Sequence, residues 1–173
     1  MKPRALTLMI AFAALLIGIA CTNQRSTSYK DAVKTGLEQA DLKDVGVSED
    51  VDKNTITLDG KVHTEDAKDK AGEVAKLNAG SRIVVNQISV EPVGAESQAK
   101  DMASNIDDGI ENNYKAALIS KGLDKQHIRY DAKNGVLTLT GNVQNPGQRK
   151  EAEQLAQAVP NVQQVLNELN VKR

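Results

Sequence analysis

The chain of 173 residues has no tryptophan, one phenylalanine, one cysteine and three tyrosines. The phenylalanine, Phe12, falls in an N-terminal apolar run, so Tyr29, Tyr114 and Tyr130 are the only rings in the remainder. So few aromatics exclude a platform on which sugars or bases would stack, and a lone cysteine excludes a disulfide framework. Charge of one sign is also lacking. Residues 22–94 carry ten basic and thirteen acidic side chains and residues 95–173 carry ten of each, so neither half offers the basic patch that nucleic acid requires. His63 and His127 have no Cys or second His at ligand spacing, which argues against a metal site. No nucleophile, base and orienting acid stand together in a catalytic motif, and a small chain poor in aromatics has little material for a deep pocket. These absences point away from an enzyme, with no catalytic residue, metal or cofactor expected.

At the N-terminus, Lys2 and Arg4 precede an apolar run from Ala5 to Ala20 broken only by Thr7. Residues 1–20 therefore read as a secretory signal, slightly short for a bilayer span. Cys21 follows directly, in Leu16-Ile17-Gly18-Ile19-Ala20-Cys21, and the polar flank Thr22-Asn23-Gln24-Arg25-Ser26-Thr27-Ser28 offers its thiol nothing to pack against. Residues 21–28 read as a tether.

What the chain has in abundance is repetition. Ile56-Thr57-Leu58-Asp59-Gly60-Lys61-Val62 returns 81 residues later as Leu137-Thr138-Leu139-Thr140-Gly141-Asn142-Val143, and Val84–Val90 returns without a gap as Val165–Val171. The same offset pairs Leu37 with Leu118, Leu42 with Leu123, Ala71 with Ala152 and Ala75 with Ala156. A period this long denotes tandem domains rather than a solenoid. The boundaries expected are module 1 over 29–91, a linker over 92–97 and module 2 over 98–173.

Within each copy the central strand alternates: Ile56, Leu58 and Val62 face one way and Thr57, Asp59 and Lys61 the other, which predicts a sheet with one wet face. Asn134-Gly135 predicts a type I′ hairpin ahead of the second copy's strand, and Asn54 supplies a left-handed residue at the same place in the first. Thr64 and Asn145-Pro146 mark helix starts, with Ala67, Ala71, Val74 and Ala75 in one buried stripe and Ala152, Leu155, Ala156 and Val159 in the other. A leading helix completes each module, with Val33 and Leu37 inward in copy one and Met102, Ile106 and Ile110 at helical spacing in copy two. The fold class expected is α+β, two tandem αββαβ two-layer sandwiches after the signal segment. Gly60 and Gly141, inside an apolar alternation, are read as a bulge or a tight helix contact within the sheet. Asn86 and Asn167 share parity with apolar neighbours and are read as buried amides that satisfy backbone groups.

These residues bring out a resemblance. Gly135–Val143, the helix carrying Ala152 and Ala156, and Val162–Leu169 resemble the BON domain, and copy one is similar at Leu58–Val62 and Val84–Val90. The segment before Cys21 resembles a bacterial lipobox, with Gly18 where that motif usually has leucine, so cleavage as an ordinary secreted protein stands as the alternative. The resemblance implies lipidation at Cys21, attachment to the outer membrane from the periplasmic side, and contact with membrane phospholipid, anionic headgroups included, or with envelope proteins, without catalysis. A soluble periplasmic stress protein or protein-interaction module is the alternative. If there is a lipid-contacting surface, Tyr114, Lys115, Lys121, Lys125 and Arg129 are the residues expected to form it. The competing account is that these lysines only complement the dipole at a helix C-terminus.

Overall fold

In the computed structural model, which describes residues 28–172, each copy folds as helix, strand, strand, helix, strand. The first comprises α1 (Lys30–Gln39), β1 (Val45–Asp50), β2 (Thr55–Val62), α2 (Glu65–Asn78) and a last strand in two pieces, β3 (Ile83–Asn86) and β4 (Ser89–Val90). The second comprises α3 (Glu96–Ser120), β5 (His127–Lys133), β6 (Val136–Val143), α4 (Pro146–Gln157) and β7 (Gln164–Val171). In both sheets the middle strand pairs antiparallel with the strand before it and parallel with the strand after α2 or α4. The helices cover one face. Val33, Leu37, Ile56, Leu58, Ala71 and Ala75 form the first core, and Tyr114, Leu118, Leu137, Leu139, Ala152 and Ala156 form the second.

Local signals explain the element ends. Thr64 Oγ1 accepts the Ala67 amide at 3.2 Å to start α2, and Asn145 Oδ1 accepts the Gln148 amide at 2.9 Å to start α4. Asn134 and Gly135 both take positive φ, as a type I′ turn requires, and Asn54 has φ +58° in the longer turn of copy one. That longer turn shifts the repeat. Val45 pairs with Gly60 whereas Ile128 pairs with Gly141, so the first strands are offset by about two residues more than the rest of the chain. Copy two shortens its hairpin and lengthens the segment before β5 by the same amount, so β6 rejoins the common register.

Gly60 and Gly141 occupy φ +106° and +108°, where a Cβ on Gly60 would come within 2.6 Å of the Asp44 carbonyl oxygen and one on Gly141 would collide with that of His127. The tight contact at both is across the hairpin and not with a helix, and glycine alone fits it. Asn86 and Asn167 form a matched pair. Asn86 Nδ2 donates to the Lys68 carbonyl at 3.0 Å while its Oδ1 accepts the Ile88 amide at 3.3 Å. Asn167 does the same to the Arg149 carbonyl and the Leu169 amide, at 3.4 and 3.1 Å. Each amide thus stitches the last strand to the helix before it.

Two expectations are corrected. Met102 and Ile106 do not join the core of module 2, being 65% and 40% exposed, and the buried stripe of α3 is Ile110, Tyr114 and Leu118. With 25 residues at about 1.5 Å each, α3 outruns the sheet it packs on, so its first turns project beyond the core. Nor is the helix-free face of the sheets simply wet. Val85 and Val136 are fully buried but belong to neither core. They lie on the face away from the helices, beside bonds that join the modules: Gln164 Nε2 to the Val84 carbonyl at 2.9 Å, Asn134 Nδ2 to the Gln87 carbonyl at 2.8 Å, and Lys53 to Glu168 at 2.8 Å.

The start of module 1 is fastened by Glu49 on β1. Its carboxylate accepts Ser28 Oγ at 2.7 Å and the Tyr29 amide at 3.1 Å, and it pairs with Arg82 at 2.9 Å. The Ser28 hydroxyl above all, and Arg82 with it, holds this carboxyl below its ordinary pKa. A depressed carboxyl stabilises the fold above its unfolded pKa, about 4.3, and that contribution is lost as pH falls through the lower folded value. Glu49→Gln is therefore expected to lose about 1.5–3 kcal/mol at neutral pH. The gap to the parent should close below about pH 4, as urea unfolding at several pH values would show.

Candidate functional site

The basic group singled out in the sequence gathers at the C-terminal end of α3 and the start of β5. Lys115, Lys121, Lys125 and Arg129 are all exposed, and among the described residues none of them enters an ion pair. Ile119, 55% exposed, stands one helical turn beyond Lys115. Between them lies a shallow groove of about 260 Å³ floored by Leu118, Leu123, Ile128 and Tyr130, with Asp124 as its one acidic lining residue. Of the four cations only Lys115 lines this groove, and Arg129, alternating with the inward Ile128 and Tyr130, stands on the opposite face of β5.

Tyr114 does not belong to it. Its side chain is fully buried, donates to the Ala152 carbonyl at 3.2 Å and meets the Tyr130 ring edge-on at 5.2 Å between centroids. Burial pushes its hydroxyl far above the ordinary value, and burial also raises that of Tyr130, with the Glu111 charge adding to it. The repeat itself carries the signal for this correction, because the residue 81 positions earlier is Val33, a core residue of module 1. By the same offset Ile119, which the sequence reading did not select, corresponds to the exposed Glu38 and so occupies a solvent position. Cys21 lies outside the described residues.

The two histidines lie apart, in different modules. His63 Nδ1 lies 2.9 Å from the Glu91 carbonyl, where it helps pin the strand that leads into the linker, and His127 is exposed on β5. Among the described residues no group of three or more His, Cys, Asp or Glu side chains is placed to hold a metal ion. No helix there is long and apolar enough to cross a membrane.

Two copies of one αββαβ sandwich, packed together through bonds between their sheets, make this a tandem-repeat protein of the α+β class. The chain belongs to the BON-domain family, which matches residues 27–92 and 106–173. Osmotically-inducible protein Y of Escherichia coli (strain K12) is 30% identical over 142 residues, covering 81% of this chain and 69% of that protein. Two solved structures of CdsD, a structural protein of the Type III secretion system of Chlamydia trachomatis, align over 83% of this chain at 17% and 14% identity, each with a TM-score of 0.33. The alignments cover 67% and 61% of those chains. A likeness so slight carries no argument about function.

Proposed function

We propose that the protein is a non-catalytic component of the bacterial envelope, tethered through a lipidated Cys21, that rests the basic end of module 2 on phospholipid and supports envelope integrity under osmotic stress. The observation that carries this reading is the group of exposed lysines on and just beyond the end of α3, Lys115, Lys121 and Lys125, with the exposed Ile119 among them and no ion pair to any of them among the described residues. Each cation near an anionic surface contributes about 1 kcal/mol, so the group supplies weak, salt-sensitive binding that an acyl anchor would make effective. The name of the relative from Escherichia coli supports the stress role. The tether of residues 21–28 reaches at most about 3.5 Å per residue, so module 1 would sit close to the same membrane.

In liposome flotation, residues 22–173 are expected to float with anionic vesicles and remain behind with neutral ones. Lys115→Glu together with Lys121→Glu should abolish the difference, and equal recovery before and after would remove this surface from the reading. Detergent partitioning of the full protein and of Cys21→Ala tests the anchor apart from the surface. If both forms stay aqueous, the soluble periplasmic alternative takes its place.

A further inference from the structure

A second feature lies at the other end of α3, in the cleft of about 590 Å³ between the modules. Its volume is within the range of about 300–1,000 Å³ typical of small-molecule sites. One wall is aliphatic, built from Ile88 and Val90 of module 1 and from Met102 and Ile106 of α3. These last two are the large apolar side chains that the core of module 2 leaves out, and Met102 lies between the two segments matched by the family.

Lys68 of α2 also lines the cleft. The residue is 6% exposed, and among the described residues its ammonium meets no carboxylate. It donates only to the Asn134 carbonyl at 3.4 Å and to Gln163 Oε1 at 3.3 Å. Charge-assisted bonds ordinarily measure about 2.7–2.9 Å, and an ammonium has three donors. A buried cation so loosely held is expensive unless something else completes its shell. The acidic groups of the cleft do not supply it. Asp107 is occupied by the Asn134 and Gly135 amides at 2.7 and 3.0 Å, and Glu65 stands exposed in the first turn of α2. The equivalent of Lys68 in copy two, Arg149, is exposed and donates to the Asn167 carbonyl, so the buried amine is no requirement of the module.

We infer that this cleft binds one single-chain amphiphile with an anionic head, the head completing the shell of Lys68 and the chain lying along Met102 and Ile106. The inference does not depend on the basic surface around Ile119. It is tested by titrating residues 22–173, which contain every described element, with 11-(dansylamino)undecanoic acid and following the probe's fluorescence. The expected result is saturable binding at one site, displaced by dodecanoate or by monododecyl phosphate and not by dodecanol. Which anion displaces better tells a fatty acid from a monoacyl phospholipid head. Lys68→Met should weaken the probe by about tenfold or more without lowering the thermal unfolding midpoint. Met102→Asp with Ile106→Asp, both at exposed positions, should abolish binding in a folded protein. Lys115→Glu with Lys121→Glu should leave probe affinity unchanged. Absence of saturation, equal displacement by dodecanol, or parent-like affinity in Lys68→Met or in the double aspartate variant would overturn the inference.

Discussion

Gly141→Ala is expected to cost module 2 about 3 kcal/mol or more, enough to unfold a marginal domain. Two effects add. A φ of +108° is strained for any residue with a Cβ, and the new methyl would collide with the His127 carbonyl oxygen across the hairpin. Relief would require β5 to move away from β6, breaking pairing at the point where Ile128 meets Gly141. Gly60→Ala has the same cause with a less severe approach, 2.6 Å to the Asp44 oxygen, and should cost less. Gly109→Ala is the internal control, because a Cβ there meets nothing within 4 Å in the middle of α3, and replacing glycine in a helix contributes about 0.5–1 kcal/mol. Urea unfolding should rank the variants as Gly109→Ala above the parent, then Gly60→Ala, then Gly141→Ala. An unchanged midpoint in Gly141→Ala would mean that the hairpin contact is not held in solution.

Tyr114→Ala should destabilise module 2 by about 3–5 kcal/mol, the loss expected when a large buried ring is removed. Tyr114→Phe should cost only about 1 kcal/mol, because the ring stays packed against Tyr130 and only the bond to the Ala152 carbonyl is lost. The pair also separates a core role from a surface role. If the ring contacted lipid, Tyr114→Ala would reduce vesicle recovery with little change in the unfolding midpoint. The burial of Tyr114 predicts the reverse for Tyr114→Phe: parent-like flotation with slightly reduced stability.

Much of the fold is legible in the sequence because its strongest signals are local. The alternation of β2 and β6, the Asn134-Gly135 turn, the left-handed Asn54 and the caps at Thr64 and Asn145 each depend on a few neighbouring residues and stand where expected. Asn86 and Asn167 are half-exposed and not buried as expected, but both amides find the backbone partners that their parity calls for. The length of α3 was less transparent. Met102, Ile106, Ile110, Tyr114 and Leu118 continue one helical stripe, and periodicity identifies the face of a helix without saying how far along its axis the partner sheet extends. The covering of the helix-free faces was hidden altogether. The face away from the helices is covered by the other module at Val85 and Val136, two isolated apolar residues that local alternation does not distinguish from solvent positions.

At the basic surface the lysines are legible through their charge, whereas one exposed isoleucine is ordinary and gives no signal. Tyr114 is adjacent to Lys115 in sequence but not in environment, and comparison with Val33 assigns it to the core.

The contact made by Gln164 bears on an edge of the first sheet. β3 is the outermost strand of its sheet, and its free backbone groups would otherwise be a template on which a strand from another chain could add. Gln164 takes both the Val84 carbonyl and, at 3.4 Å, the Asn86 amide, so a single side chain occupies the positions where an intruding strand would begin to pair. Tandem duplication thus lets a side chain of the second module occupy backbone groups on the β3 edge of the first, groups that would be open if the two halves were produced apart.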